Sequence, residues 1–362
     1  MFNKTFQILS ATGESLRRVL LSTSRILLFT VLVIFASSMN LAQESVNTYI
    51  TGISFSPDGN LLAVASGADT VCSTTDPYRI KLMNLILNSE TWFTGHYCPV
   101  ISVDINYDGT KLVSSDITGE IIVWDLTNQS MLDQRVTTVE TTMKWHPTEN
   151  LLLEQNKHSV YVSDLEYTSR MLKKSPNGNI TYAAWNSKGS KVVFSDVTGA
   201  IFIWNPILDT IEKTFNIHSN AVITIDWNPV SQLIASGDDK GYVAVWNAST
   251  GQLVASLTNS TRISDLKWNP NGRVLAGAGD DGKVYIWHIE NSFSQSQPIL
   301  SQLTSHNYQA PVYAVAWSPD GTKIAYGGQG TGGQNGRVEI SPLTTPTYTP
   351  TATPTNTKNL HR

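Results

Sequence analysis

Seven segments repeat one pattern along most of the 362-residue chain. They read "ITGISFSPDGNLLAVAS", "VISVDINYDGTKLVSSD", "ETTMKWHPTENLLLEQN", "ITYAAWNSKGSKVVFSD", "VITIDWNPVSQLIASGD", "ISDLKWNPNGRVLAGAG" and "VYAVAWSPDGTKIAYGG". Each alternates apolar and polar residues with period two, breaks at a turn, and resumes as a second apolar run. That alternation excludes an amphipathic helix, whose apolar positions recur at three and four. The breaks carry Pro57-Asp58-Gly59, Asp108-Gly109, Asn271-Gly272 and Asp320-Gly321, residues that tolerate the backbone angles of tight hairpins. The first strand closes on Phe55, Ile105, Trp145, Trp185, Trp227, Trp268 and Trp317.

A period of ~40 to 45 residues with four strands per unit marks propeller blades, not helical solenoids. The expected fold is all-β, a seven-bladed β-propeller of four-stranded antiparallel blades over residues 43–343. Strands a and b come from the repeated segment, followed by c and a less regular d. Hydrophobic residues at 41%, with ten Trp and 24 Gly, supply a core and many turns. The net charge of -4, without a Lys/Arg block in the repeats, gives no footprint for nucleic acid.

Strand c ends on Trp124-Asp125, Trp204-Asn205, Trp246-Asn247 and Trp287-His288. With the repeats, these endings resemble the WD-repeat (WD40) family from Thr48 to Leu343. Blades of that family link a His before strand a, a Ser or Thr in strand b, an Asp in the b–c turn and the strand-c Trp. The resemblance implies such a set in His218, Ser236, Asp239 and Trp246. A partial set is His96, Ser114 or Ser115, and Trp124, with Asp116 farther from the Trp than the pattern expects. Blade six keeps Asp281 and Trp287 without the His. Blades three and seven carry Val162-Ser163-Asp164 and Ile340-Ser341 where the Trp would be. The implied role is structural, because a buried carboxylate needs partners and a His with a Trp N–H supplies them. The same residues mimic a Ser-His-Asp catalytic set, an explanation the blade network makes unnecessary.

The resemblance further implies a non-catalytic scaffold, expected to bind a protein partner or a surface polymer as a monomer without cofactor; the charge pattern already sets nucleic acid aside. The stretches "FSPDGNLLAVAS" and "AWSPDGTKIAYGG" are similar to Tol-associated periplasmic propellers, which implies an envelope accessory protein as the alternative. A third reading, an enzyme working in the central channel, needs converging carboxylates; Asp104, Asp226 and Asp265 lie within their strands and line the channel at most. Nothing in the repeats forms a metal-ligand cluster. Family rings close by borrowing a terminal strand, so the last blade's fourth strand is expected around Gln43 to Thr48.

The chain ends differ from the repeats. Lys4, Arg17, Arg18 and Arg25 precede the apolar run "ILLFTVLVIFA", followed by small residues. That order reads as an export signal or membrane anchor over residues 1–42, so the protein is expected outside the cytoplasm, touching membrane only through this segment. Residues 344–362, rich in Thr and Pro, read as an extended tail.

The two cysteines, Cys72 and Cys98, fall in loops that emerge on one face, and an exported protein with an even count suits a disulfide. "GGQGTGGQNG" from Gly327 to Gly336 formally contains GxGxxG, but it joins two strands and opens no helix, so it is no phosphate cradle. It faces the long loop from Gly67 to Tyr78 across neighbouring blades. Tyr97, His306, Tyr308 and Gly330 in that sector are the expected partner-binding face.

Overall fold

The computed structural model describes residues 49–67, 72, 78–137, 139–166, 170–290, 299–330 and 336–343. Every regular element among them is a strand. The strands form seven antiparallel sheets, each in simple chain order from a to d. Six sheets have four strands; the seventh, with Val312–Trp317, Lys323–Gly328 and Val338–Pro342, has three among the described residues. The expected donor of its fourth strand, Gln43 to Thr48, lies outside the described residues, as do the N-terminal segment and the Thr/Pro tail.

Strand a of blade one (Tyr49–Phe55) packs on strand a of blade two (Val100–Ile105) and, at the seam, on strands a and b of blade seven. Tyr49 meets Tyr313 edge to face there, with ring centroids 6.0 Å apart. The ring is therefore shut by packing of inner strands. Hydrogen bonds between blades reinforce it. The Trp145 N–H donates to Asp104 Oδ2 at 2.8 Å, Trp268 N–H to Asp226 Oδ2 at 2.7 Å, and Val315 N–H to Asp265 Oδ2 at 3.2 Å. The carboxylates of Asp104, Asp226 and Asp265 are thus each tied to the backbone of the next blade.

Between blades the core is continuous. Trp204 and Trp246 are fully buried, and Trp287 nearly so. The four blades whose strand c carries Trp share one irregularity: the c–d ladder slips at Trp124, Trp204, Trp246 and Trp287. Blade three holds Ser163 at that position, and its c–d ladder runs without a slip. A bulge adds local twist and re-aims a side chain, here turning the large indole toward the neighbouring blade.

Antiparallel order places b–c turns and d–a connections on one face of the ring, a–b and c–d turns on the other. The disulfide between Cys72 and Cys98 staples a b–c loop to a d–a connection on the first of these faces.

Candidate functional site

Two blades hold the same four-residue clamp. In blade five, His218 Nε2 lies 2.7 Å from Ser236 Oγ, Trp246 Nε1 donates to that Oγ at 3.1 Å, and His218 Nδ1 sits 3.2 Å from Asp238 Oδ2. In blade two the distances are 2.8 Å for His96 to Ser114, 2.9 Å for Trp124 to Ser114 and 3.3 Å for His96 to Asp116. The spacings agree as well: Ser follows His by 18 residues, Asp by 20, and Trp follows Ser by 10.

The carboxylate of blade five is therefore Asp238, which corrects the expectation of Asp239. Ser236 and Asp238 are two apart on strand b (Leu233–Asp238) and face the same side; Asp239 begins the turn and points away, pairing with Lys240. The same alternation makes Asp116 a full member in blade two and selects Ser114 over Ser115. Asp281 does not join Trp287 in such a network either. Gly279 stands at the clamp's Asp position by register, while Asp281 accepts the Tyr285 hydroxyl at 2.7 Å. Tyr285 stacks on Trp287 at 5.5 Å, and Gly277 replaces the serine, with room so short that a Cβ there would come 2.6 Å from the Trp287 ring. In blade three, Ser163 Oγ donates to buried Glu154 at 2.5 Å and Arg135 reaches the same oxygen at 3.3 Å.

The clamps have the connectivity of a Ser-His-Asp triad but cannot act as one. Ser114 and Ser236 have no exposed surface, and the Trp indole occupies the oxygen a substrate would have to meet. Their electrostatics differ. Burial lowers His218, and the single carboxylate of Asp238 does not restore it. Burial also opposes the charge on His96, but Asp116 and Glu120 together hold it above the ordinary histidine value.

The expected partner face is only partly available. Tyr97 is exposed at 52%, and His306 is half-buried against Tyr326. Tyr308 is a correction: it is 1% exposed, its hydroxyl donates to the Arg337 carbonyl at 2.7 Å, and the Arg337 guanidinium covers its ring at 4.8 Å. One residue past strand d, its ring fills the gap beneath the chain returning into strand c of blade seven. Gly330 is half-buried at the start of its loop, and residues 331–335 lie outside the described residues.

A cleft of about 540 Å³ on the b–c face lies elsewhere, among blades two, three and four. Ile117 and Thr118 of a b–c turn, Val139 and Glu140 of a d–a connection, and Gln155 and Lys157 form its rim. Its walls are held by hydrogen bonds. Asp116 Oδ1 accepts the N–H groups of Thr118 and Glu120 and the Thr118 hydroxyl. Thr137 and Thr141 both donate to the Val139 carbonyl. Gly119, at φ 85°, packs so close that a Cβ would lie 2.3 Å from that carbonyl. No sequence signal marks this cleft, because three successive blades each contribute a short, ordinary turn to it. Among the described residues, His96, Asp116 and Glu120 are the one group of His and carboxylates with polar atoms within 4.8 Å of one another, and those atoms are spent on each other.

A ring of seven blades with two intact polar-aromatic clamps defines a repeat propeller, and comparison specifies the repeat. Residues 42–73, 88–125 and 297–337 match the WD domain, G-beta repeat, and residues 225–297 match the anaphase-promoting complex subunit 4 WD40 domain. The chain carries WD40 repeats on a seven-bladed propeller. It is similar to COMPASS component SWD3 of Saccharomyces cerevisiae, 25% identical over 57% of this chain and 70% of that protein. It is also similar to WD repeat-containing protein SL1-17 of Schistosoma mansoni, 29% identical over 45% of this chain and 55% of that one. The match spans only 15% of the mouse WD repeat and HMG-box DNA-binding protein 1. Among solved structures, U3-55K superposes with a TM-score of 0.71 at 17% identity, covering 83% of this chain and 97% of that one. The Cps50 (Swd1) propeller of Myceliophteria thermophila gives 0.69 at 14% identity over 84% and 100%. These likenesses speak to the fold.

Proposed function

We propose that the protein is a non-catalytic scaffold that binds a protein partner through the cleft between blades two, three and four. The observation that carries this is the cleft itself, about 540 Å³ on a face whose walls are hydrogen-bonded frame. Rigid frames that present short turns are where binding surfaces are built. Similarity to a protein named as a COMPASS component supports an assembly role. A photo-crosslinking residue at Gln155 tests it. A defined crosslinked species is expected from Gln155, lost when Thr181→Trp fills the cleft, and not from Leu132 on the outer strand. Equal labelling from both positions overturns the reading.

The proposed location is outside the cytoplasm. The basic and apolar order of residues 1–42 supports it, and so does the Cys72–Cys98 disulfide, since such bonds persist in oxidising compartments. No helix of the described residues is long and apolar enough to cross a membrane. Cell fractionation with N-terminal mass mapping decides; a cytoplasmic chain with both thiols free contradicts it.

A further inference from the structure

We propose that the blade-two clamp is a pH-sensitive brace for one wall of the cleft: an extra proton on His96, held between Asp116 and Glu120, fixes the turn at Ile117–Gly119, and its loss slackens that turn. Only its consequence for binding rests on reading the cleft as a docking site.

The geometry separates the two clamps by one residue. At the first position of strand c, blade five carries Tyr242, whose ring meets His218 edge to face at 5.3 Å. Blade two carries Glu120 there, and its Oε2 lies 3.2 Å from His96 Nδ1, with Asp116 Oδ2 3.3 Å from the same nitrogen. One Nδ1–H faces two carboxylates. The His96 and Asp116 side chains are each 1% exposed, and Glu120 is 16% exposed. A neutral imidazole leaves two negative charges in that space, which low dielectric penalises; an imidazolium cancels one of them.

The second proton has a place to go. In the neutral clamp the Ser114 hydroxyl donates to His96 Nε2 while accepting from Trp124 Nε1. When Nε2 takes a proton from solvent, it becomes the donor and the hydroxyl must turn to another acceptor. The Ile122 carbonyl lies 3.4 Å from Ser114 Oγ for that purpose. Ser236 has no such acceptor among the described residues.

The charged groups acting on His96 are Asp116 from strand b and Glu120 from strand c of blade two. Strand d of blade two brings uncharged Gln134, which donates to Glu120 Oε1 at 2.7 Å, and strand c of blade one brings Tyr78 as the register partner of His96. The link to the cleft is Asp116: one oxygen faces His96, and the other holds the N–H groups of rim residue Thr118 and of Glu120, which closes the same turn. Losing the proton sets two carboxylates against each other and pushes Glu120 outward, pulling on that turn.

Histidine-selective NMR titration of the full chain tests this, with His218 as internal reference and Glu120→Gln as the variant. His96 should titrate at a higher pH than His218, and its midpoint should fall in Glu120→Gln. Amide protection factors at Ile117–Gly119, with intrinsic base-catalysed exchange divided out, should fall as pH rises through the His96 midpoint in the wild type and stay level in the variant. A His96 midpoint no higher than that of His218, or unmoved by Glu120→Gln, overturns the proposal. A midpoint that shifts with added zinc or EDTA also overturns it, making the group a cation site. A crosslink at Gln155 with protection factors indifferent to pH sinks this inference alone; a responsive turn without a crosslink supports it and sinks the docking reading.

Discussion

The carboxylate of Asp226 in blade five accepts the backbone N–H of Trp268 in blade six at 2.7 Å, across the blade boundary on the inner ring. Burial raises Asp226 to about 6, against the opposing charge of Lys267. The folded protein therefore holds a proton there that the unfolded chain releases near the ordinary value of 3.8. Between those two limits the native state binds more protons, so stability falls as pH rises from about 4 to 6, by up to roughly 3 kcal/mol. Asp226→Asn keeps an acceptor for Trp268 without the charge. Urea unfolding across this range should show a flatter profile for the variant and a gain at pH 7.

His96 and His218 pull stability in opposite directions. The raised His96 contributes stability fully present below the unfolded histidine value and lost as pH climbs through its folded one. The lowered His218 does the reverse, costing stability as pH drops below the unfolded value toward its own. His218→Gln should therefore weaken acid sensitivity between those two values, while His96→Gln should weaken the decline as pH rises from the unfolded histidine value through the folded one; both are read by denaturant titration at several pH values.

Asp238 and Asp239 should separate cleanly. Asp238 takes His218 and the N–H groups of Lys240 and Tyr242, so Asp238→Ala strands a buried network and should cost about 2 kcal/mol or more. Asp239→Ala removes a surface pair with Lys240 and should stay within about 0.5 kcal/mol.

Restoring serine to blade six should harm it. Gly277→Ser drives a Cβ to 2.6 Å from the Trp287 ring, an overpacking loss of about 1–3 kcal/mol by thermal unfolding.

Reducing the Cys72–Cys98 bond, which closes a separation of 26 residues, should lower stability by roughly 3.5 kcal/mol in the chain-entropy model. Unfolding with and without reductant reads the difference.

The ring was legible because period-two alternation and turn residues are local signals, and seven copies reinforce one another. Phe55, Ile105 and the five Trp that follow all close strand a as read. The choice of Asp239 over Asp238 failed for a physical reason: a turn aspartate looks right by residue type, but the strand's alternation decides which side chain faces the histidine. Tyr308 was misplaced because an aromatic in a loop carries no mark of the backbone that will cover it. The cleft and Glu120 were invisible, since each arises from residues brought together across strands or blades.

Two roles are separable: the clamps hold the blades, and the cleft is the proposed contact surface. Ser236→Ala, measured at once for unfolding free energy and for crosslinking from Gln155, tests both. The prediction is a loss of about 1–3 kcal/mol from the orphaned His218 and Trp246 groups, with crosslinking kept under native conditions. Unchanged stability with crosslinking abolished would contradict it.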